Sequence, residues 1–464
     1  MASKIFNILF KNKVFGNIMI ILSSIFLVYL ICSIYFINHF FIKTKVNGVN
    51  LSIKNYNEAD ELIEEYINNY SIEIIGRDGR REIIDGKDIG VISIKKDIKS
   101  EIQRKQNSFI WIKSVLSKEE YYIDGLIHYD KDKLENAIDN LGIITKDIEE
   151  PINVGFKYSN EGYEIVPELY GNKINKNKLI EILSKSISKG VTLIDLEENE
   201  VYYNPVFTSN SEKAKETKDL LNKYISTEII YLFGNKKEVL DGSIIKEWLS
   251  VNENLDVIIN EKGLNEYITS LGKKYNTVGI SRKFKTSTGK EIDVEGGYYG
   301  WKINSTAEKK LLNEYIKLGA SIEKEPTYSQ EALYRETNDI GNTYVEINIS
   351  RQYLWFYKDG KVIAEGSVVT GDKNNGYSTT LGTYMINYKQ KEATLRGPGY
   401  EAKVKYWMPF NGNIGIHDAS WRSSFGHDIY EHNGTHGCVN SPLYLAKTIY
   451  DNIEAGIPVI CYEE

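Results

Sequence analysis

Cysteine is scarce in this chain, and basic residues do not outnumber acidic ones. Three cysteines occur among 464 residues, and their irregular spacing excludes a fold held together by a framework of disulfides. Lysine and arginine total 57 against 64 acidic residues, which gives a formal net charge of −7. This balance does not indicate a nucleic-acid partner. The length predicts about three domains, and 42% hydrophobic residues are enough to form their cores.

Charge is also absent from one long N-terminal segment. Residues 14–42 contain no Asp, Glu, Lys or Arg and are mostly Ile, Leu, Phe, Val and Tyr. Such a run is long enough to cross a bilayer, and a buried core helix is the alternative. No small-residue cleavage site follows, so we expect an uncleaved transmembrane anchor over 14–42. Three lysines before it and two after it slightly favour a cytoplasmic N-terminus at residues 1–13.

The middle of the chain contains a diverged internal repeat. Residues 134–142 match 264–272 in the spacing of their apolar residues and glycine, with an offset of 264 − 134 = 130. The Tyr-Gly-x-Lys-Ile-Asn phrase at 170–175 recurs at 299–304, with an offset of 299 − 170 = 129. Matches at nearly one offset indicate a duplicated domain.

Each copy has the pattern of an α+β unit. Amphipathic helices are predicted over 131–141 and 261–271. Asn175 and Asn304 are placed as N-caps of a second helix in each copy, which ends at a C′ glycine, Gly190 or Gly319. The predicted organisation is an α+β leader region at 43–125, repeats at 126–210 and 211–325, a linker at 326–339 and a final domain at 340–464.

Cys438 has a different setting from the other two cysteines. Cys32 lies in the anchor and Cys461 in an apolar segment typical of a buried strand, whereas Cys438 lies among polar, turn-forming residues. His436 closely precedes it, and His417 lies 438 − 417 = 21 residues upstream, far enough for the chain to fold back. A histidine can take the proton of a thiol, and the thiolate is the attacking form. The cluster therefore indicates a cysteine nucleophile, with a structural cysteine in a glycine-rich turn as the alternative.

A zinc site is the other hypothesis for this region. Histidines occur at positions 417, 427, 432 and 436, and zinc is commonly bound by His and Cys. Only His432 and His436 have a spacing known from zinc sites, and they lie on a loop broken by glycine. We therefore expect no metal, and we interpret His427 and His432 as surface loop residues.

The run Thr-His-Gly-Cys-Val-Asn at 435–440, with His417 upstream, resembles the signature of the L,D-transpeptidase family, also called the YkuD-type catalytic domain. The similarity extends to the predicted hairpin at 344–360 and to the Thr-Gly segments at 369–371 and 379–384. Leu381 departs from the pattern, because many members have proline at this position, and this leaves the shape of the loop open.

The resemblance implies a role for each matched residue. Cys438 would be the nucleophile and His417 the base, with the main-chain carbonyl of Asp418 orienting the imidazole ring. His436 and Gly437, with the N–H of Cys438, would form the oxyanion pocket.

Four further residues are expected to contact the substrate. Thr435 and Asn440 would shape the turn rather than take part in the chemistry. Trp421 and Arg422 would line the groove, and the alternative is a packing tryptophan beside a solvated arginine.

The resemblance also implies an architecture. The expected fold is multidomain, with an N-terminal transmembrane helix, two α+β repeat domains and a C-terminal mostly β, sandwich-like catalytic domain. The repeats resemble the peptidoglycan-binding domain that often precedes such catalytic domains in Gram-positive bacteria. They would bind wall or only set the reach of the catalytic domain.

The implied function is a cysteine acyltransferase of cell-wall biogenesis. Its partners would be peptidoglycan stem peptides, as donor and acceptor, and the membrane, with the catalytic domain facing the wall. Stem tetrapeptides would give 3→3 cross-links without a cofactor, and carbapenems would acylate the cysteine. An L,D-carboxypeptidase using water, or a wall-binding structural protein with an inactive catalytic domain, are the alternatives.

Overall fold

The computed structural model of the chain describes residues 13–336, 338–397 and 400–464. The predicted cytoplasmic segment, apart from Lys13, lies outside these residues. The described chain forms two compact units. The first extends to Gly155 and includes Ile165–Ala214, and the second combines Phe156–Glu164 with Lys215–Glu464.

The first unit is built from short helices and small sheets. Its helices are α1 (Lys13–Tyr35), α2 (Ala59–Asn68), α3 (Ile98–Gln103), α4 (Ile112–Leu116), α5 (Lys131–Asp139), α6 (Gly142–Thr145) and α7 (Lys176–Ser188), with 3₁₀ turns at Tyr56–Glu58 and Ser108–Ile110. Its strands are β1 (Thr44–Val46), β2 (Val49–Asn50), β3 (Ser71–Ile75), β4 (Arg81–Asp85), β5 (Ile92–Ser93), β6 (Glu119–Tyr121), β7 (Ile127–His128) and β10 (Leu193–Asp195). The intervening hairpin of β8 (Gly155–Ser159) and β9 (Gly162–Val166) belongs mostly to the second unit.

Helix α1 is apolar around its whole circumference. Its segment Phe15–Tyr35 has a mean hydropathy of 2.5, and only 6% of that window is buried. By length and composition this helix can cross a membrane, and its exposure distinguishes it from a core helix. It ends at Tyr35, earlier than the predicted end at residue 42. Phe40 and Phe41 are instead buried in the folded unit, because the backbone here pairs with residues 54–56.

The predicted leader and the first repeat share one core. Strand β10 pairs in parallel with β3, with Ile194 opposite Ile74. Apolar side chains of α2, α5 and α7 belong to the same buried cluster. This pairing joins segments about 120 residues apart in sequence, which local sequence patterns cannot reveal. The N-cap prediction at Asn175 agrees with the structure, where its side chain accepts from the Lys178 N–H.

The second unit contains the second repeat and the final domain. Its helices are α8 (Glu212–Ile225), α9 (Gly242–Ile245), α10 (Glu261–Tyr275), α11 (Ser305–Leu318), α12 (Ile429–His432) and α13 (Leu443–Asn452), with a 3₁₀ turn at Lys246–Trp248. The repeat strands are β11 (Glu228–Phe233), β12 (Lys236–Leu240), β13 (Leu249–Val251), β14 (Val257–Ile259), β15 (Arg282–Lys285), β16 (Glu291–Val294), β17 (Lys302–Ile303), β18 (Ser321–Lys324) and β19 (Tyr328–Gln330).

Two sheets form the final domain. Its strands are β20 (Tyr344–Asn348), β21 (Tyr353–Lys358), β22 (Lys361–Ser367), β23 (Gly382–Met385), β24 (Gln390–Gly397), β25 (Tyr400–Asn411), β26 (Ile414–Asp418), β27 (Val439–Ser441) and β28 (Pro458–Tyr462). One sheet has the order β22-β21-β20-β28-β23 and the other β24-β25-β26-β27. Both contribute to one buried apolar cluster that also includes Leu445 and Ile449 of α13. The expected mostly β architecture is therefore present.

A buried seam joins the second repeat to the larger sheet. We define the seam as Arg282, Phe284, Asp339, Glu346 and Tyr462. Phe284 packs with Tyr462 in one apolar cluster. Arg282 pairs with Asp339 at 2.9 Å, and both side chains are almost fully buried. Glu346 accepts from the Tyr462 hydroxyl at 2.6 Å.

The segment predicted as a linker, 326–339, is packed against the second repeat. It contains β19, which pairs with β17. The Arg335 guanidinium lies over the rings of Phe233 and Trp301, at 5.2 and 4.7 Å from their centroids. The predicted linker is therefore held to the second repeat by contacts of Arg335 and Asp339.

Candidate active site

A cavity of about 480 Å³ opens on the smaller sheet of the final domain. Seven of the predicted site residues border it, namely His417, Trp421, Arg422, Thr435, His436, Cys438 and Asn440. The structure thus brings together residues that lie up to 440 − 417 = 23 positions apart.

The sheet register places Cys438 and His417 on one face. Strands β26 and β27 are parallel, and His417 is opposite Asn440. Side chains alternate between the faces of a sheet, so Cys438, two positions before Asn440, lies on the same face as His417. The Ile416–Val439 pair between them points to the opposite face, into the core.

Cys438 lies directly before β27 and is buried. Its Sγ approaches the carbonyl oxygen of Asn413 at 3.5 Å. Burial raises the pKa of the Cys438 thiol to about 11, although a hydrogen bond from the Gly415 N–H acts in the opposite direction. At neutral pH the sulfur is therefore a thiol, and its attack requires a base.

His417 is the buried residue positioned to provide that base. Its Nδ1 lies 3.0 Å from the Asp418 carbonyl oxygen, which assigns the Nδ1 proton to that bond and leaves Nε2 as an acceptor. Burial lowers the pKa of His417, while the Asp418 carbonyl partly opposes this shift. The imidazole is therefore neutral at pH 7 and able to accept a proton.

Asp418 fixes the end of β26 through two different groups. Its carbonyl orients His417 as described, and its carboxylate accepts from the backbone N–H groups of Lys405 and Tyr406 at 2.8 and 2.7 Å. The carboxylate therefore fastens the imidazole-bearing strand to β25. The carbonyl of Asp418 is thus the group that bonds to the imidazole ring.

The turn before Cys438 is stabilised by two threonine hydroxyls. Thr435 Oγ1 donates to the Cys438 carbonyl at 2.6 Å and accepts from the Gly437 N–H at 3.0 Å. Thr379 Oγ1 donates to the Gly437 carbonyl at 2.7 Å. Gly437 has a φ of 111°, a conformation that favours glycine.

These bonds define what Gly437 contributes to the predicted oxyanion pocket. The Gly437 N–H points to the Thr435 hydroxyl, so it is not directed at a reacting carbonyl. Gly437 therefore shapes the turn, and the Cys438 N–H and the His436 side chain remain the candidates for an oxyanion. His436 is exposed at the cavity and its ring lies 4.6 Å from that of Tyr377.

Trp421 and Arg422 form the outer wall. Trp421 is 52% exposed, and its ring lies 6.0 Å from that of His417. Arg422 donates to the Gly434 carbonyl at 3.3 Å, which connects this wall to the loop before Cys438. Trp421 is thus a cavity-lining residue that is too exposed to be a core tryptophan.

Another part of the cavity lining was missed by sequence reasoning. Leu395, Glu401, Ala402 and Lys403, from the β24–β25 hairpin, line the cavity. Glu401 pairs with Arg396 at 3.0 Å, so the uncompensated charges facing this space are basic. No local motif marks the hairpin, because its residues reach the site only through pairing of β25 with β26.

Within the described parts of the chain, no group of three or more His, Cys, Asp or Glu residues is arranged to hold a metal ion. Cys32, Cys438 and Cys461 are all free thiols. Among the histidines, His427 and His432 do not line the cavity.

Family models match most of the described chain. The L,D-transpeptidase catalytic domain (YkuD) matches residues 342–461. The "Putative peptidoglycan binding domain" matches residues 85–195 and 207–323. The first copy therefore begins 126 − 85 = 41 residues before the predicted boundary, within the predicted leader region. No curated protein matches the chain.

Several solved structures are similar to this chain. A cysteine-to-serine mutant of the Enterococcus faecium L,D-transpeptidase is 30% identical, with a TM-score of 0.44, covering 54% of this chain and 100% of that one. The catalytic domain of an E. faecium L,D-transpeptidase acylated by ertapenem is 37% identical, with a TM-score of 0.25, covering 26% and 97%. An L,D-transpeptidase 3 from Mycobacterium tuberculosis with a faropenem-derived adduct is 19% identical, with a TM-score of 0.24, covering 26% and 60%.

Proposed function

We propose, since this chain belongs to the L,D-transpeptidase family, that it forms 3→3 cross-links between peptidoglycan stem peptides through an acyl-enzyme on Cys438. The observation that carries the proposal is the placement of a buried thiol and a neutral, carbonyl-oriented imidazole on one face of adjacent strands, at one cavity.

The first half-reaction acylates the enzyme. His417 Nε2 takes the thiol proton as Cys438 Sγ attacks the carbonyl carbon of the third stem residue. The resulting oxyanion is stabilised by the Cys438 N–H and His436. The bond to the terminal D-Ala then breaks, and the departing amine takes the proton from the His417 imidazolium. The products are a thioester on Cys438 and free D-Ala.

The second half-reaction transfers the acyl group. The side-chain amine of an acceptor stem attacks the thioester carbon and gives a proton to His417. The carbon–sulfur bond breaks, and Cys438 recovers its proton. A neutral thiol–imidazole pair suits this cycle, because each group begins and ends uncharged while the charged forms exist only during bond exchange.

The charge at the cavity favours a donor that carries carboxylates. Lys403 and Arg422 both line the cavity. Guanidinium and ammonium groups bind carboxylates through charge-assisted hydrogen bonds. We assign them to the carboxylates of the stem peptide, with Trp421 covering its apolar part.

The other modules would place this site at the wall. Helix α1 would be a single-pass membrane anchor with a cytoplasmic N-terminus and the rest of the chain outside. The two repeats would hold peptidoglycan, which raises the local concentration of stems without supplying a catalytic group. Carbapenems would acylate the same thiol.

Product analysis tests the proposal. The purified full-length protein, in detergent, is incubated with a disaccharide tetrapeptide, and the muropeptides are separated by chromatography and sequenced by mass spectrometry. We expect dimers joined from third residue to third residue, with release of D-Ala. Tripeptide monomers alone would indicate an L,D-carboxypeptidase. Unchanged tetrapeptide, with the folded protein verified by circular dichroism, would indicate a wall-binding protein with an inactive catalytic domain.

A further inference from the structure

An exposed apolar segment in the first unit packs against the candidate membrane helix. The 108–116 segment comprises the 3₁₀ turn Ser108–Ile110 and helix α4. Phe109, Ile110, Ile112, Val115 and Leu116 are between 43% and 87% exposed. Five large apolar side chains exposed within eight residues would be costly in water.

This segment contacts α1 well inside the helix. The Tyr29 hydroxyl donates to the Phe109 carbonyl. The Trp111 ring lies 6.4 Å from the ring of Tyr29 and 5.7 Å from that of Phe36. The contact is therefore not confined to the end of α1, because Tyr29 is six residues before Tyr35, or about 9 Å at 1.5 Å per residue.

Depth follows from the length of the helix. Phe15–Tyr35 has 21 residues, about 31 Å long, which matches a hydrocarbon thickness of about 30 Å. The whole helix is then needed to span the bilayer, and Tyr29 lies below its outer surface. A segment that contacts Tyr29 must enter the same layer. The exposed side chains of this segment are apolar, as is the hydrocarbon layer that would surround them.

Several polar groups of the segment are bonded locally. The Phe109 N–H donates to the Asn107 side chain, and the N–H groups of Ile110 and Ser114 donate to the carbonyls of Asn107 and Trp111, whereas the Trp111 indole N–H has no hydrogen-bond partner among the described residues. The Ser114 hydroxyl donates to the Trp111 carbonyl at 2.7 Å. Lys43 Nζ donates to the Val115 carbonyl at 2.8 Å, and exposed Lys113 has a stem long enough for its ammonium to reach the headgroups.

We propose that the 108–116 segment is a second membrane contact, inserted in the outer interfacial layer of the bilayer beside α1. Trp111 lies between the helix and the patch, where an amphipathic ring suits the boundary between headgroups and acyl chains. The partner is a lipid surface. The inference rests on α1 spanning the membrane and is independent of the transpeptidase chemistry.

Label accessibility tests the proposal on the full chain. Ile112→Cys and Leu116→Cys are labelled with an environment-sensitive fluorophore in a Cys32→Ser, Cys438→Ser background, where the fully buried Cys461 stays unlabelled. The proteins are reconstituted in vesicles of phosphatidylglycerol and phosphatidylcholine with iodide on both sides, or with nitroxide-bearing lipid. Val206→Cys is the matched control, because Val206 is apolar, 79% exposed and in the same unit.

The expected result is strong quenching by the nitroxide lipid and several-fold weaker quenching by iodide at 112 and 116, with the reverse at 206. Iodide quenching at 112 and 116 as strong as at 206 would overturn the proposal. Shielding from both quenchers would also overturn it, because the patch would then contact protein. A label at Ile25→Cys, within α1, tests separately whether α1 spans the bilayer. Iodide access at this position would show that it does not, whatever the result at 112 and 116.

Discussion

The catalytic cavity and the seam both bury ionisable side chains, but they differ in what these side chains contact. In the seam, Arg282 donates to four backbone carbonyls and to the Asp339 carboxylate. In the cavity, His417 has one backbone partner, and Cys438 has two backbone neighbours, the Asn413 carbonyl at 3.5 Å and the Gly415 N–H. Fully satisfied charges hold a structure in place, whereas groups with remaining capacity can exchange protons. We therefore expect cavity variants to lose activity and seam variants to lose stability.

Replacing the nucleophile should give the largest loss of activity. We expect Cys438→Ala to reduce cross-linking by at least about 10⁴-fold, because neither of the other two cysteines lines the cavity and the variant cannot form the thioester there. Its unfolding midpoint should change little. Cys461→Ala is the matched control, since Cys461 is buried in β28 away from the cavity, and it should remain active. Cross-linking retained by Cys438→Ala would reject the assigned nucleophile.

Replacing the base should give the next largest effect. His417→Asn keeps a side chain that can donate to the Asp418 carbonyl but removes the Nε2 acceptor. A loss of about 10²–10⁴-fold in kcat/KM is expected for a missing general base. His432→Asn, at an exposed position outside the cavity, is the control. Equal activities of the two variants would contradict the role of His417.

The seam should respond in the opposite way. Arg282→Met leaves the Asp339 carboxylate buried without its cation, which costs about 3–5 kcal/mol of unfolding free energy for a broken buried pair. The acylation rate of the folded fraction should be preserved. Lys447→Met breaks the exposed pair with Asp451 and should cost less than about 1 kcal/mol. Denaturant unfolding measures the stability of each variant, and the acylation rate is measured at denaturant concentrations below the unfolding transition. A loss of acylation rate in folded Arg282→Met would contradict our account.

The pH dependence of stability should give the smallest effect. The folded pKa of Cys438 is raised to about 11 from 9.0 by burial, so the folded state keeps this proton longer than the unfolded state does. Its contribution to stability is present below about pH 9 and is lost as the pH rises through 11. Burial lowers the pKa of His417 from 6.5, so its protonation also favours unfolding as the pH falls below 6.5.

The difference between wild type and Cys438→Ala isolates the thiol. The alkaline decline in thermal stability between about pH 9 and 11 should be smaller in the variant, by an amount on the order of 2 kcal/mol. Identical alkaline declines would show that the thiol is already ionised in the folded protein.

The sequence predicts the residues of the cavity far better than those of the seam. The reason is how far apart along the chain the contacting residues lie. The residues from His417 to Asn440 lie within one short stretch, and the N-caps Asn175 and Asn304 act on helices that they immediately precede. By contrast, Arg282 meets Asp339 across 339 − 282 = 57 positions, and Glu346 meets Tyr462 across 462 − 346 = 116. Such pairs depend on strand register, for which the sequence carries no local signal.

The same reason explains two details that the sequence does not reveal. The polar segment 326–339 lies between the two family matches, as expected for a linker, but its packing is not evident because its partners, Arg282 and the ring of Trp301, lie outside it. The N–H of Gly437 donates to the hydroxyl of Thr435, which the motif alone does not indicate. A motif gives the identities of the reacting residues, and the direction of each backbone N–H has to come from the folded turn.

Mapping the covalent intermediate tests the central claim most directly. The full-length protein is mixed with a stem tetrapeptide, quenched in acid and measured as an intact mass, and its proteolytic peptides are then sequenced. We predict a mass gain equal to the tetrapeptide minus D-Ala, located on Cys438 and lost when an acceptor amine is added. An adduct on another residue, or the same gain in Cys438→Ala, would contradict the account.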